Sequence, residues 1–408
     1  MEAEPVDTGA SSNIMSDAPC IPESDRPSAA IPSGSAVPAL EALRCEIDGL
    51  DHQIVHLLAE RQRAVQRAVA IKRVAGLPIY HPAREENLIS QRREQARQDG
   101  LDPNYVEELY RCIIRQSRMR QTVHAAKAGV RPGYRVVIVG GGGQMGRYFA
   151  RWLGEAGYDV VVLETGDWSR AAELARGARL ALVSVPIHVT ETVIRQLGPL
   201  LPADCVLADI TSVKGGPVAA MREAHPGPVI GLHPLFGPNT TVMDQQIMVA
   251  CPGRDATACQ WVLDQCAAWG NIVVTLEAAE HDAVMDVVQG VRHFATFAFG
   301  RFLAQRQLNL GPTLECSSPI YRLEMGMVGR MFAQDPELYA DIIFASPERR
   351  KLLGEFIDSL VAARAMAEGG DAAEFCREFR GIAEWFGPFC EQAMRESSFL
   401  IDKLVERF

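Results

Sequence analysis

Four consecutive glycines near the middle of the chain follow a short apolar run, and their spacing is typical of a nucleotide-binding turn. Residues 135–146 read RVVIVGGGGQMG, in which strand-forming residues lead into glycine and then into helix-compatible residues. The glycines match the pattern G-x-G-x-x-G, where backbone N–H groups and a helix N-terminus hold a dinucleotide pyrophosphate. The cofactor-binding residues predicted here are Gly141, Gly143, Gln144, Met145 and Gly146.

An acidic residue after the next predicted strand bears on which dinucleotide is bound. Residues 159–163 predict a strand, and Glu164 follows it, about 20 residues after the glycines. A carboxylate at this position accepts hydrogen bonds from a ribose 2′-hydroxyl, which favours NAD over NADP. The alternative is that Glu164 is only a solvated acid at a strand end, but the order of strand, glycines, helix and acid favours the cofactor site.

The segments that follow predicted strands supply further candidates. Strands are predicted at 136–139, 159–163, 180–185, 206–210, 229–232, 247–250 and 272–275, with helical segments between most of them. This alternation predicts a doubly wound, Rossmann-like parallel sheet, and such sheets bind ligands beyond the carboxyl ends of their strands. Ser184, Val185 and Pro186 are expected beside the nicotinamide ribose, and Ser212 and Lys214 follow the fourth strand.

His233 lies at the end of the fifth predicted strand, within GLHPLFGPN. Hydride transfer from a carbinol to NAD leaves a hydroxyl proton to be removed, and a neutral imidazole is suited to that task near pH 7. A single histidine is more often structural than catalytic. Its position beside a dinucleotide site nevertheless favours a role as the base.

Helical segments follow the last strand, and one of them has an arginine on its apolar face. In the predicted helix 319–332, Leu323, Met327 and Arg330 fall at i, i+4 and i+7. An arginine in this place is suited to a bidentate contact with a carboxylate, although a structural ion pair is the alternative. Arg322 lies on the same helix, and His293 lies on a long helix predicted at 280–305.

Three helices are predicted before the glycines, at 40–75, 84–98 and 103–122, and polar residues interrupt their apolar faces. Arg61 occupies a position of the first helix that should be apolar, and Lys72 lies on nearly the same face. On the third helix, Ser117 and Gln121 end an apolar stripe. These residues predict a cationic, polar pocket, and three helices with so little core predict an intertwined dimer.

Arg44 lies about 25 Å from Arg61 along the same helix, so it could join that pocket only from a second subunit. The alternative is that Arg44 and Lys72 are surface cations and that Arg61 pairs with an acid such as Glu85. The residues by themselves leave these two interpretations even.

Length and composition limit the class of protein and the number of its domains. The chain has 408 residues, 48% hydrophobic residues and a net charge of −10, which indicates several globular domains and no nucleic-acid partner. No apolar run is long enough for a membrane helix, and the N-terminus lacks signal-peptide features, so a cytoplasmic protein is expected. The 10 cysteines are scattered, so we expect no metal site. The expected domains are a disordered leader (1–37), a helical domain (38–126), a Rossmann-like domain (127–276) and a second helical domain (277–408).

Residues 40–121 resemble the all-helical, AroQ-type chorismate mutases in the segments LEALRCEIDGLDHQIVHLLAERQRAV, IKRVAGLPIYHPAREENLI and YRCIIRQSRMRQ. The resemblance implies a site in which cations hold the two carboxylates of chorismate, with Lys72 and Gln121 at its ether oxygen and Arg44 contributed by the partner protomer. His81 stands where some family members have an aspartate for the substrate hydroxyl. The matching site residues are Arg44, Arg61, Lys72, Arg84, Glu85, Ser117 and Gln121.

The remainder resembles the dehydrogenase part of the bifunctional chorismate mutase/prephenate dehydrogenases of tyrosine biosynthesis. The segments concerned are VVIVGGGGQMG, VVLETGDW, VSVPIHVTE, SVKGGP, GLHPLFGP, RHFATFAFG and SSPIYRLEMGMVGRMFAQDPELYADII. The resemblance implies that NAD oxidises and decarboxylates prephenate to 4-hydroxyphenylpyruvate, with His233 accepting the hydroxyl proton and Arg330 holding the ring carboxylate. Ser212, His293 and Arg322 would shape the substrate side. The resemblance also implies a helical dimerisation domain and inhibition by tyrosine.

Two other interpretations are open. The chain could be another NAD-dependent hydroxy-acid dehydrogenase with a non-catalytic helical oligomerisation domain, or a non-enzymatic NAD-binding regulator. Arg61, Lys72, Ser117 and Gln121 favour catalysis over both, because an oligomerisation helix gains nothing from polar residues in its seam.

Overall fold

The computed structural model describes the backbone of residues 36–74, 82–126 and 129–405. The predicted leader lies almost wholly outside these ranges, and His81 lies outside them too. Within the helices, some side chains are also outside the description, and those of Lys72 and Gln121 are among them.

The chain begins with three helices, α1 (Ala36–Val74), α2 (Pro82–Gln98) and α3 (Pro103–Ala126). Two units are distinguished, Met1–Ala68 and Val69–Phe408. In the first unit, the apolar seam of α1 is more than half exposed at Leu43, Ile47, Leu50, Ile54 and Leu57. In the second unit, α2 packs against α3, and Ile89 and Ile114 are buried there.

A seven-stranded sheet forms the centre of the second unit, in the order β2-β1-β3-β4-β5-β6-β7. Its apolar strands are covered on both faces. Val136 and Ile138 of β1 pack into one core, and Val137 and Val139 pack into the other, as the alternation of side chains along a strand requires. The strands are β1 (Arg135–Val139), β2 (Asp159–Leu163), β3 (Ala178–Val183), β4 (Val206–Asp209), β5 (Val229–Pro234), β6 (Ile247–Arg254) and β7 (Ile272–Thr275).

The helices between the strands are α4 (Gln144–Glu155), α5 (Ala171–Leu174), α6 (Ile187–Leu197), α7 (Gly215–Ala224) and α8 (Ala256–Ala268). The expectation of a wholly parallel sheet is wrong at one place, because β6 runs antiparallel to β5. Residues 235–246 connect these strands without a helix, and an antiparallel neighbour needs no crossover helix.

Helices occupy the remaining described chain, where no helix is long and apolar enough to cross a membrane. The helix predicted at 280–305 is confirmed in extent but contains a π-helical turn, Asp286–Val291, which separates α9 from α10. The elements are α9 (Ala278–Met285), α10 (Arg292–Gln305), α11 (Leu310–Glu315), α12 (Pro319–Phe332), α13 (Pro336–Ile343), α14 (Pro347–Gly369), α15 (Ala372–Phe386) and α16 (Phe389–Val405).

Candidate active sites

The glycine turn between β1 and α4 has the geometry of a pyrophosphate cradle. A Cβ on Gly146 would lie 2.3 Å from the carbonyl oxygen of Gly140, so α4 can approach the turn this closely only with glycine at that position. Gly143 is the N-cap of α4 and no side chain caps the helix there. The first backbone N–H groups of α4 are therefore available to an anion, which fits a dinucleotide phosphate.

Gly140 belongs to this turn although it is absent from the predicted cofactor set. Its φ is 79°, and a Cβ there would lie 2.3 Å from the carbonyl oxygen of Ser184. The segment after β3 thus lies against the turn, and Ser184 donates its backbone N–H to Val139 at 2.9 Å. Val185 follows it, and Pro186 is the N-cap of α6.

Glu164 lies at the other side of the turn. Its Oε1 accepts the backbone N–H of Gly142 at 2.5 Å, and its own N–H donates to Asp167 Oδ2 at 3.0 Å. The acid at the end of β2 is therefore fixed beside the glycines. A dinucleotide site requires an acid close to the glycine turn in this way.

His233 is buried at the end of β5, and a line of hydrogen bonds runs from it to a carboxylate. Its Nδ1 lies 2.8 Å from Nε2 of His281, and Nδ1 of His281 lies 2.8 Å from Oδ1 of Asp282. Asp282 is anchored by the backbone N–H groups of Lys214 and Gly215, each at 2.8 Å. Because a carboxylate only accepts, His281 carries its proton on Nδ1, and its Nε2 accepts the proton of His233 Nδ1. Nε2 of His233 is then the unprotonated atom, which can act as a base.

Burial is the main reason that His233 stays neutral. Burial, with smaller effects from the charges of Lys214 and Arg349 and from the neighbouring ring of His281, lowers the pKa of His233 well below its ordinary value. Burial by itself raises the pKa of Asp282, but the hydrogen bonds from His281 and the two backbone N–H groups lower it overall. The site thus combines an anionic carboxylate with a neutral imidazole.

Lys214 is fully buried and has a structural role beside the base. Its Nζ forms an ion pair with Asp209 and donates to the carbonyl oxygen of Leu232 at 2.8 Å. The lysine therefore joins the ends of β4 and β5 next to His233. Ser212 is partly buried on the same β4–α7 connection.

The π-helical turn lies beside Nε2 of His233. Nε2 of Gln289 lies 3.3 Å from Nε2 of His233, and Oε1 of Gln289 is buried without a partner among the described atoms. Asp286 in the same turn pairs with the buried Arg349, whose Nε lies 2.6 Å from Oδ1. These residues extend the site from the sheet into the helical region, and the sequence pattern predicted none of them as site residues.

His293 and Arg330 lie near a shared aromatic residue. The rings of His293 and Tyr339 meet edge to face, with centroids 5.1 Å apart. Burial raises the pKa of Tyr339, and the charge of Arg330 opposes that change. Burial, with the charges of Arg292 and Arg349, lowers the pKa of His293. Arg330 itself is exposed on α12.

Arg322 lies in a separate, mainly apolar cavity of about 570 Å³. Its Nε donates to Ser317 Oγ at 3.3 Å. Leu303, Leu314 and Phe332 also line this cavity, and His233 does not.

The predicted mutase residues lie on α1, α2 and α3. Ser117 is buried on α3 and donates to the carbonyl oxygen of Ile113 at 2.8 Å, while Arg84 is exposed on α2. Glu85 pairs with Arg118, whose Nη1 lies 2.5 Å from Oε2.

In the first unit, Arg44 and Arg61 share the continuous helix α1, which keeps them about 25 Å apart. Nη1 of Arg44 lies 2.7 Å from Oε1 of Glu41, and both side chains are exposed. Arg61 is half-buried.

The nucleotide cradle, the neutral imidazole and the helical region beyond them define an NAD-dependent dehydrogenase that follows an all-helical domain. Comparisons with known families agree with this order of domains. Residues 43–122 match chorismate mutase type II, residues 159–272 match the nucleotide-binding domain of prephenate dehydrogenase, and residues 277–381 match its dimerization domain.

Two similar proteins have the same organisation along nearly their whole length. The T-protein of Enterobacter agglomerans is 44% identical over 368 residues, which cover 90% of this chain and 98% of that protein. The T-protein of Haemophilus influenzae is 39% identical over 369 residues, with the same coverage of 90% and 98%. The chain therefore belongs to the T-protein family. It is a bifunctional chorismate mutase and prephenate dehydrogenase of tyrosine biosynthesis, with NAD as its cofactor.

Among solved structures, the prephenate dehydrogenase from A. aeolicus in complex with hydroxyphenyl propionate and NAD+ is similar to this chain. It is 19% identical with a TM-score of 0.48, and the match covers 63% of this chain and 99% of that one.

Proposed function

We propose that His233 is the base of the dehydrogenase, and the hydrogen-bonded line Asp282–His281–His233 is the observation that carries this assignment. Nε2 of His233 accepts the proton of the ring hydroxyl of prephenate. NAD accepts the hydride from the carbon that bears this hydroxyl. The product of this oxidation is a vinylogous β-keto acid. It loses CO2 to give an aromatic phenol, and this step needs neither a metal nor a Schiff base.

Other residues hold the substrate and the cofactor. Arg330 holds the ring carboxylate that leaves as CO2, and Ser212, His293 and Arg322 shape the substrate side. The cofactor contacts are Gly141, Gly143, Gln144, Met145, Gly146, Glu164, Ser184, Val185 and Pro186. The uncapped N-terminus of α4 and the fixed carboxylate of Glu164 support these assignments.

For the mutase, we propose that Arg44 of a second copy completes a pocket formed by Arg61, Lys72, Arg84, Glu85, Ser117 and Gln121. A pericyclic rearrangement needs no nucleophile; it needs a held conformer and charges already in position. Lys72 and Gln121 stabilise the charge that develops on the ether oxygen. The distance between Arg44 and Arg61 along α1 supports the contribution of a second copy.

The assembly, location and regulation are part of the same proposal. The chain forms a homodimer of three-domain subunits, with domains at 38–126, 127–276 and 277–408. The exposed seam of α1 supports the dimer. The nine described cysteines are all free, which supports a reducing compartment such as the cytoplasm. Tyrosine, the pathway's end product, is proposed as an inhibitor of NADH formation.

The test supplies the purified chain with chorismate and NAD and follows NADH. We expect NADH to form from chorismate and also from prephenate supplied directly. A signal from prephenate but none from chorismate would contradict the mutase assignment by itself. Turnover of simple hydroxy acids instead, or NAD binding without turnover, would support the two other interpretations.

Lys72→Ala separates the two activities in this assay. We expect it to slow the mutase about 100-fold or more, since it removes a preorganised charge, and to leave NADH formation from prephenate intact. A mutase rate close to that of the unmodified enzyme would refute the role of Lys72.

A further inference from the structure

A largely buried arginine connects the mutase helices to the nucleotide-binding domain. Arg118 on α3 places Nη1 2.5 Å from Oε2 of Glu85 on α2, and its Nε lies 3.5 Å from Oδ2 of Asp244. The side chains of Arg118, Glu85 and Asp244 are 17%, 25% and 7% exposed. Glu85 lies in the region that matches chorismate mutase, and Asp244 lies in the region that matches the nucleotide-binding domain. One guanidinium therefore binds carboxylates of both catalytic regions.

Asp244 is the fixed member of this trio. It lies on the β5–β6 connection, where Gln245 donates its N–H to the carbonyl oxygen of Gly270 at 2.9 Å. Asn271 Nδ2 donates to the carbonyl oxygen of Met243 at 3.0 Å. A Cβ on Gly270 would lie 2.8 Å from Asp244 Oδ1, so backbone packs directly against the carboxylate. The nucleotide-binding domain thus presents a rigid acid to α3.

The two contacts of Arg118 together fix its orientation. Nη1 is hydrogen-bonded to Glu85, and the contact of Nε with Asp244 at 3.5 Å is an ion pair, so the two carboxylates hold the guanidinium from two sides. With one partner, the long side chain keeps more rotamers, and ordering it costs more conformational entropy. Asp244 therefore restricts Arg118, and Arg118 restricts Glu85.

The electrostatics favour the same arrangement. Burial raises the pKa of Asp244, the charge of Arg118 opposes this change, and Glu85 adds to it. Two carboxylates in one partly buried place repel each other unless a cation lies between them. Arg118 supplies that cation.

We propose that Arg118 is a positioning residue of the mutase and that Asp244 anchors it from the nucleotide-binding domain. This inference rests on the proposed placement of Glu85 in the mutase pocket. Chorismate has two carboxylates and a hydroxyl, and a side-chain carboxylate can only accept a hydrogen bond, so the hydroxyl is the group that Glu85 fits. The dehydrogenase part of the chain thereby contributes to chorismate binding in the mutase part.

The test uses the full-length chain with Arg118→Gln, Asp244→Asn and the double variant. We expect each single variant to raise the KM for chorismate about fivefold, the effect of losing one charge-assisted contact, with kcat changed by less than about twofold. The double variant should match Arg118→Gln, since Asp244 acts only through Arg118. NADH formation from prephenate should persist in all three variants.

Arg111→Gln is the matched control. Arg111 also joins α3 to α2, with Nη1 3.3 Å from Oε1 of Glu86, but it is exposed. Its substitution should leave the KM for chorismate unchanged.

Three results would overturn the inference: an unchanged KM for Asp244→Asn, additive effects in the double variant, or parallel loss of both activities, which would mean a purely structural role. Glu85→Gln distinguishes failure of the proposed role of Asp244 from failure of the proposed placement of Glu85 in the pocket. If it has an unchanged KM, the placement of Glu85 in the pocket fails and the inference fails with it. If it weakens chorismate binding while Asp244→Asn does not, only the inference fails.

Discussion

His233 combines two properties that a base needs in a buried site, a fixed tautomer and a low pKa. We expect His233→Asn to lower the dehydrogenase kcat about 10²- to 10⁴-fold, the usual contribution of a positioned base, without changing the mutase rate. The measurement is NADH formation from prephenate beside prephenate formation from chorismate. A fully active variant would remove His233 from the mechanism.

The direction of the pKa shift predicts the pH profile of the same residue. Only neutral His233 accepts a proton, and its pKa lies well below the ordinary value. The kcat/KM for prephenate should therefore stay level from pH 8 down through about 6.5 and fall only at lower pH. The causes are the burial of the ring and, after it, the charges of Lys214 and Arg349 and the neighbouring ring of His281. An acid limb centred above the ordinary imidazole value would contradict this environment.

His281 acts on the substrate only through His233, so its removal should cost less than loss of the base. We expect His281→Leu to lower the dehydrogenase kcat roughly tenfold to a hundredfold, because His233 loses the acceptor that fixes its tautomer. His281→Gln retains an acceptor oxygen and should recover part of the rate. Equal rates for the two variants would argue against the hydrogen-bonded line.

Among the secondary-structure elements, the turn between β1 and α4 gives the sharpest test of cofactor binding. Gly146→Ala places a methyl group against the carbonyl oxygen of Gly140. We expect NAD binding to weaken about fivefold to a hundredfold, from strain of roughly 1–3 kcal/mol, with the mutase unaffected. Gly154→Ala is the control on the same helix, since a Cβ there has nothing within 4 Å. Calorimetric titration with NAD measures both variants, and equal affinities would contradict the close approach.

At the scale of the whole molecule, the helical C-terminal part leaves an apolar face uncovered within one chain. Phe375, Phe379, Ile382 and Phe386 recur on one side of α15, and Phe379 is 63% exposed. The region that matches the dimerization domain includes Phe379. This face is large and apolar enough to need a covering surface, and a second copy is the proposed one.

Phe379→Glu should therefore weaken the dimer in sedimentation experiments, because it places a charge in the covered face while the contact proposed for α1 remains. Arg377→Glu, at an exposed position on the same helix, should leave the dimer intact. A dissociation constant of the dimer equal to that of the unmodified chain would exclude this face as a subunit contact.

The sequence by itself determined the features that depend on local order along the chain. Short-range periodicity and motif spacing predict the seven strands, the glycine turn, the acid after β2 and the position of His233 at the end of β5. Within one element, the spacing of residues along the chain sets which side chains share a face. The resemblance to a family then identified the substrates, which spacing cannot specify.

The tertiary structure decided what joins residues that are distant along the chain. His281 lies 48 residues after His233, and Asp244 is farther still from Arg118. No periodicity links such pairs, because packing of separate elements sets their distance. The antiparallel β6 and the π-helical turn were missed for the same reason: neighbouring strands and the buried Arg349 fix them, and their local sequence does not.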